Sequence, residues 1–185
     1  MRIIAGQWRG RRLAAPRGQE TRPTADRTRE TLFSMLTSRL GSFEGLTVGD
    51  LFAGSGALGI EALSRGAASC LFVEQDGEAL KALRANLASV GATADIRAGS
   101  VLALGPVKTP LDLLLLDPPY GSGAGAVALE RLLRLGWLAP ASSVSLEIGA
   151  GEPAGVRGFV VMAERRVGRA CLALLRPEQA QPGGS

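Results

Sequence analysis

The sequence predicts an open, doubly wound α/β sheet, on three observations. From residue 47 onward, short apolar runs alternate with segments of helical spacing. A glycine-rich loop, Gly54-Ser55-Gly56-Ala57-Leu58-Gly59, stands where the first apolar run gives way to the first helical segment. The run LDLLLLD at residues 111–117 is apolar almost without alternation, as in a strand covered on both faces.

The elements follow in order. Residues 2–16 hold two short apolar pieces around a Gly-rich basic middle and predict a small hairpin packed on the rest. A helix is expected up to about Leu40, capped by Thr24 or Asp26. Leu32, Phe33, Leu36 and Leu40 face the core, and Arg27, Arg29 and Arg39 lie at or beyond the edge of that face. Strands are read at 47–53, 69–74, near 94–98, at 111–117 and at 143–148. Helices are read at 55–66, at 76–91 with Gly91 as the stop, and at 125–138. Residues 158–177 predict two strands joined by a polar turn at 165–169. The organisation expected is a basic N-terminal extension at 1–40, a main domain at 41–177 and a disordered tail at 178–185.

At 185 residues the chain is sized for one domain. Residues 1–40 carry nine arginines against three acidic residues, whereas the remainder is close to neutral. Positive charge gathered in one arm suits a polyanionic partner. There is no histidine, and the only two cysteines, Cys70 and Cys171, sit in apolar runs. Zinc sites, serine–histidine triads and histidine bases are therefore excluded, no metal is expected, and both cysteines read as small buried apolar residues. No apolar run reaches membrane-spanning length, so a soluble cytoplasmic protein is expected.

In a doubly wound sheet, ligands bind at the carboxyl ends of the strands. Gly54, Gly56 and Gly59 fit the G-x-G-x-x-G spacing of a loop that lets a nucleotide approach the backbone. Glu74, closing the next strand, is placed to accept from ribose hydroxyls. These features suit any adenosine cofactor. Asp50, four residues before Gly54, has no role in a dinucleotide fold but attracts the ammonium and sulfonium groups of a methionine-derived cofactor. The tetrapeptide Asp117-Pro118-Pro119-Tyr120 follows the apolar run directly. Its prolines are stiff and lack N–H groups, so the corner presents a carboxylate and carbonyl acceptors beside an aromatic ring. Such a corner fits the exocyclic amine of a base, with Tyr120 stacked on the ring.

Together, the segments RIIAGQWRGRRL, RPTADRTRETLFSML, DLFAGSGALGIEALSRGA, Val73-Glu74 and DPPY resemble the bacterial small-subunit ribosomal RNA guanine-N2 methyltransferases over about residues 1–176. The resemblance implies a Rossmann-like, seven-stranded class I fold with an antiparallel final strand, using S-adenosylmethionine. It implies cofactor contacts at Asp50, Phe52, Ala53, Gly54, Ser55, Gly56, Glu74, Gln75, Ser100 and Val101. Asp117, Pro118, Pro119 and Tyr120 would hold the guanine amine. Arg2, Arg9, Arg11, Arg12, Arg22, Thr24 and Arg27 would contact RNA within an assembling small subunit, and the protein would act as a monomer. Ser100 departs from the pattern, which places an acid there to accept from the adenine amine. Three other readings remain open: an adenine-N6 methyltransferase on RNA or DNA, a nicotinamide-dependent oxidoreductase, and a non-catalytic RNA-binding factor.

Overall fold

A computed structural model describes residues 1–16 and 23–179, and at 23 and 24 the backbone alone. Arg22 and residues 180–185, the bulk of the expected tail, lie outside it. The elements are α1 (Pro23–Leu40), β1 (Thr47–Leu51), α2 (Ala57–Ser64), β2 (Ser69–Glu74), α3 (Gly77–Val90), β3 (Asp95–Ala98), a 3-10 turn (Val101–Ala103), β4 (Leu111–Leu116), α4 (Ala124–Arg134), β5 (Leu138–Gly149), β6 (Phe159–Val167) and β7 (Ala170–Pro177).

The seven strands form one sheet in the order β3-β2-β1-β4-β5-β7-β6. The first five pair in parallel, and β7 runs antiparallel between β5 and β6. Side chains alternate across a pleated strand, and the leucines of β4 show the result. Leu113 and Leu115 join a core with α1, α2, α3 and the N-terminal hairpin, while Leu114 and Leu116 join a second core with α4 and Trp137. Both layers are dry at β4, which explains an apolar run without alternation.

Several boundaries differ from the sequence expectation. Helix α1 begins at Pro23, whose fixed φ suits a first helical position. Thr24 and Asp26 therefore lie inside the first turn rather than at a cap. Strand β5 starts earlier than residue 143, and β6 continues to Val167, leaving Gly168 and Arg169 as the turn. Arg165 and Arg166 are strand residues. Glu178 donates its N–H to the Gly158 carbonyl at 2.8 Å, so the chain is still held at the first position of the expected tail. Cys70 is buried, but Cys171 is only half-buried, because it sits close to the turn.

The N-terminal hairpin forms through an Arg2–Arg12 bridge and is fastened by polar side chains of the sheet's helices. Glu61 of α2, fully buried, accepts from the Ile4 and Ala5 amides at 2.8 and 3.0 Å and pairs with Arg65. Asn86 of α3 accepts from Ala14 N and donates to the carbonyls of Ala14 and Ser55. Arg29 departs from its expected place at the helix edge. It is 5% exposed, donates to the Arg2 carbonyl and pairs with Asp26 at 3.2 Å. Its charge is spent inside, joining α1 to the hairpin.

Removing the Glu61 carboxylate takes the acceptor from two half-buried amides and from the Arg65 guanidinium. Glu61→Ala should therefore cost about 3–5 kcal/mol in urea denaturation and expose residues 1–16 to proteolysis. A loss below about 1 kcal/mol would mean that the hairpin is held by its apolar contacts and its other hydrogen bonds, among them those of Asn86.

Candidate active site

The parallel register fixes which strand ends meet. Asp50 of β1 lies between Phe72 of β2 and Leu115 of β4, and Leu116 of β4 pairs with Leu146 of β5. The loops after β1, β2 and β4 therefore open on one edge of the sheet. A cleft of about 1360 Å³ runs along that edge, lined by Phe52, Gly54, Glu74, Asp117, Tyr120 and Glu147 among others.

On its first side lies the glycine loop. Gly54 has φ +55° and nothing near the position of an added Cβ, so its backbone is open to an approaching ligand. Gly59 serves packing instead. A Cβ there would stand 2.7 Å from Cys70 Sγ and against the Phe72 ring, so α2 approaches β2 only because residue 59 is glycine. Phe52 has φ +75°, the sole positive value among the non-glycine residues described. That conformation costs on the order of 1–3 kcal/mol, and it turns the chain from β1 so that the Phe52 side chain lines the cleft.

Glu74 stands at the end of β2. One oxygen accepts from Gly54 N at 2.7 Å, the other from Gln75 N and Asp76 N at 2.8 Å each. A carboxylate has about four acceptor positions, so one remains for a ligand hydroxyl in this arrangement. Both hydroxyls of a ribose fit only if an amide lets go. Ser100 caps the 3-10 turn, its hydroxyl accepting from Leu102 N at 3.2 Å. Ala53, Ser55, Gln75, Ser100 and Val101 all line the cleft.

Two of the expected cofactor residues do not reach it. Gly56 packs against Leu83, where a Cβ would collide. Asp50 is 1% exposed and lies behind the loop, accepting from Gly59 N at 2.8 Å through Oδ2. Its Oδ1 is buried without a hydrogen-bond partner. Burial pushes this carboxyl up to about 8, assisted by the nearby Asp117 and Glu74 charges. Asp50 thus acts on the cleft from underneath, by holding α2 to β1.

On the other side stands the proline corner. Pro118 is buried, and Gly125 at the start of α4 fits against it. Ser122 donates to the Pro119 carbonyl at 2.5 Å, which occupies one of the corner's two proline carbonyls. The Asp117 side chain meets the water of the cleft, but protein surrounds it on most sides. Its carboxyl is accordingly raised to about 7, by desolvation first and by Glu147 second. Tyr120 is 50% exposed, its hydroxyl donating to Glu147 Oε1 at 2.5 Å. Burial and that carboxylate keep the phenol protonated well above its ordinary range.

Two site residues escaped the sequence reading. Glu147 lies near the end of β5, next to Asp117 across the Leu116–Leu146 pair. Glu152 accepts from Gly121 N and Gly149 N, both at 2.8 Å, and so pins the loop after Tyr120 to the end of β5. The only sequence signal for Glu147 was an acid breaking the apolar run of SVSLEI. Of the arginines expected to meet RNA, Arg2, Arg9, Arg11, Arg12 and Arg27 are all exposed. Arg2 and Arg11 also donate to the carbonyls of Gly10 and Ser89.

A family model described as conserved hypothetical protein 95 matches residues 1–176. Ribosomal RNA small subunit methyltransferase D of Escherichia coli (strain K12) is 40% identical over 149 residues, which are 80% of this chain and 74% of that one. The protein of the same name from Haemophilus influenzae is 37% identical over 159 residues, 83% of this chain and 81% of that one. Among solved structures, an Escherichia coli chain named as a candidate methyltransferase aligns with a TM-score of 0.83 at 36% identity, covering 96% of this chain and 98% of that one.

The raised carboxyl of Asp50 has a consequence for stability. A folded-state value near 8 against 3.8 unfolded means that the folded chain holds the extra proton between them, so stability falls as pH rises from about 4 to about 8. In Asp50→Asn that decline should flatten, measured as urea midpoints at about pH 5 and about pH 9. A variant as pH-dependent as the parent would place the titration elsewhere.

Proposed function

The chain belongs to the conserved hypothetical protein 95 family and to that of ribosomal RNA small subunit methyltransferase D, and from that premise we propose that it methylates the exocyclic N2 amine of a guanine in small-subunit ribosomal RNA, using S-adenosylmethionine. Its seven-stranded sheet is the class I methyltransferase fold. The observation that carries the reading is one cleft with Gly54 and Glu74 at one side and Asp117 and Tyr120 at the other.

The residues fit the cofactor. The open backbone at Gly54, the remaining acceptor position on Glu74 and the ring of Phe52 suit a nucleoside. The buried, unpartnered Oδ1 of Asp50 favours a cation above the loop. When bound, S-adenosylmethionine supplies an electrophilic methyl group on a positively charged sulfur.

The protein's own part is alignment. A guanine amine is a poor nucleophile, because its lone pair is delocalised into the ring. Hydrogen bonds to the Asp117 carboxylate and the Pro118 carbonyl hold both amine protons and turn the lone pair out of the ring plane. Tyr120 stacks on the base, a contact worth roughly 1–3 kcal/mol. Asp117 would take up the proton that the amine gives up when it is methylated. A carboxyl raised to about 7 is matched to that task at neutral pH. No strong base is required, since orientation and charge supply most of the rate.

Arg9 and Arg12, exposed on the hairpin, together with Arg27 at the start of α1, support an RNA-binding face. Its substrate would be ribosomal RNA in an assembling small subunit. Phosphate contacts from such an arm position the RNA without reading its sequence.

Incubation with methyl-labelled S-adenosylmethionine and unmethylated small-subunit RNA, followed by digestion to nucleosides, should yield N2-methylguanosine. Recovery of methyladenosine alone would favour the adenine-modifying alternative. Turnover should rise with pH through about 7, because the Asp117 carboxylate must be free to accept. Asp117→Ala should lower turnover by roughly 10²–10⁴-fold while calorimetry finds the affinity for S-adenosylhomocysteine nearly unchanged. Full turnover would mean that another group orients the amine. Replacing Arg9 and Arg12 together by alanine should weaken RNA binding and reduce its salt slope by about 2.

A further inference from the structure

Two acidic side chains flank the base-binding corner, and only one is needed to hold an amine. Asp117 follows β4 and Glu147 lies near the end of β5. Because Leu116 pairs with Leu146 in parallel register, the two acids occupy neighbouring positions at the strand ends. Both line the cleft. Two neighbouring carboxylates repel and lose hydration, so the arrangement works against stability. A tyrosine hydroxyl alone does not require it, since a neutral amide of the same length would accept its hydrogen bond equally well. Tyr120 engages only Oε1 of Glu147. Among the described residues, no donor occupies Oε2.

The Watson–Crick edge of a base supplies the missing partner. Guanine presents two adjacent donors, N1–H and the N2 amine. Adenine presents an amine beside N1, which is a bare lone pair. A carboxylate facing N1 accepts from guanine and repels adenine. We propose that Glu147 is a specificity-determining residue, its free Oε2 accepting from N1–H of the target guanine while Asp117 holds the neighbouring amine. This rests on the guanine-methylating reading above and says how that choice of base is made. Tyr120 acts beside it, because a hydroxyl donated to Oε1 steadies the ring that stacks on the base and leaves Oε2 free. Glu152 completes the frame by clamping Gly121 to Gly149, at either end of this pair.

The test uses the full-length protein and RNA carrying, at its target position, either guanine or 2-aminopurine. The analogue keeps the 2-amine but has a lone pair at N1. The wild-type protein should favour guanine by roughly 10- to 100-fold in kcat/KM. In Glu147→Gln the side-chain amide can accept from N1–H or donate to a bare N1, so the gap should shrink to about threefold or less. Tyr120→Phe should lower kcat yet keep most of the gap, because the carboxylate remains. Glu147→Asp, a second variant that keeps the charge, should also retain a preference for guanine. Binding of S-adenosylhomocysteine by each variant reports folding independently.

An undiminished gap in Glu147→Gln would overturn the assignment. So would an equal collapse in Tyr120→Phe, which would make Glu147 merely a prop for the ring. Equal wild-type rates on the two bases would also overturn it while leaving guanine methylation intact. A wild-type protein that methylates no guanine would instead remove the reading on which it rests.

Discussion

The register of β1 between β2 and β4 is the constraint from which the site follows. Parallel pairing sends every strand of that half of the sheet in one direction, so the loops that leave them share an edge. Gly54, Glu74 and Asp117 are distant in sequence and meet only because three strands end together. The two dry cores make the register unambiguous. A slip of one residue along β4 would exchange Leu113 and Leu115 with Leu114 and Leu116 and misplace every side chain of the strand. The leucine run that announces a buried strand also sets the height at which Asp117 emerges.

That edge gathers carboxyl groups. Asp50, Glu74, Asp117 and Glu147 all lie at the ends of parallel strands, and none is joined to a basic side chain by an ion pair among the described residues. Glu74 accepts hydrogen bonds from three backbone amides, whereas burial holds up the carboxyls of Asp50, Asp117 and Glu147. A cleft of this kind is unfavourable when empty and improves when a cation and hydrogen-bond donors arrive. The net positive charge lies instead in residues 1–40, where nine arginines stand against three acidic residues.

Local chemistry was legible in the sequence, and spatial neighbourhood was not. The glycine loop, Glu74 and the DPPY corner are contiguous motifs whose residue types carry their own meaning, and each lies where strand–helix alternation predicts. Glu147 was invisible because its significance comes from Asp117, across a strand pair. Glu152 and Asn86 were missed for the same reason, each reaching a backbone group distant in the chain, at Gly121 and Ala14. Arg29 was misplaced because helical periodicity assigns charge to the surface and cannot foresee a carbonyl of the hairpin waiting inside. Asp50 was recognised as an acid with a purpose, but its position behind the loop depends on how closely α2 packs on β2.

The fastening of the hairpin to α2 carries a temporal consequence. Ile4 finds its acceptor on Glu61, 57 residues later, and Ala14 finds Asn86 after 72. During synthesis the opening segment therefore emerges with no surface to dock on, and its buried apolar residues, Ile3 and Leu13, stay uncovered until two helices have been made. Such long loops close late and slowly. The arginines around those residues keep the waiting segment soluble, and the same charges face outward once it has settled.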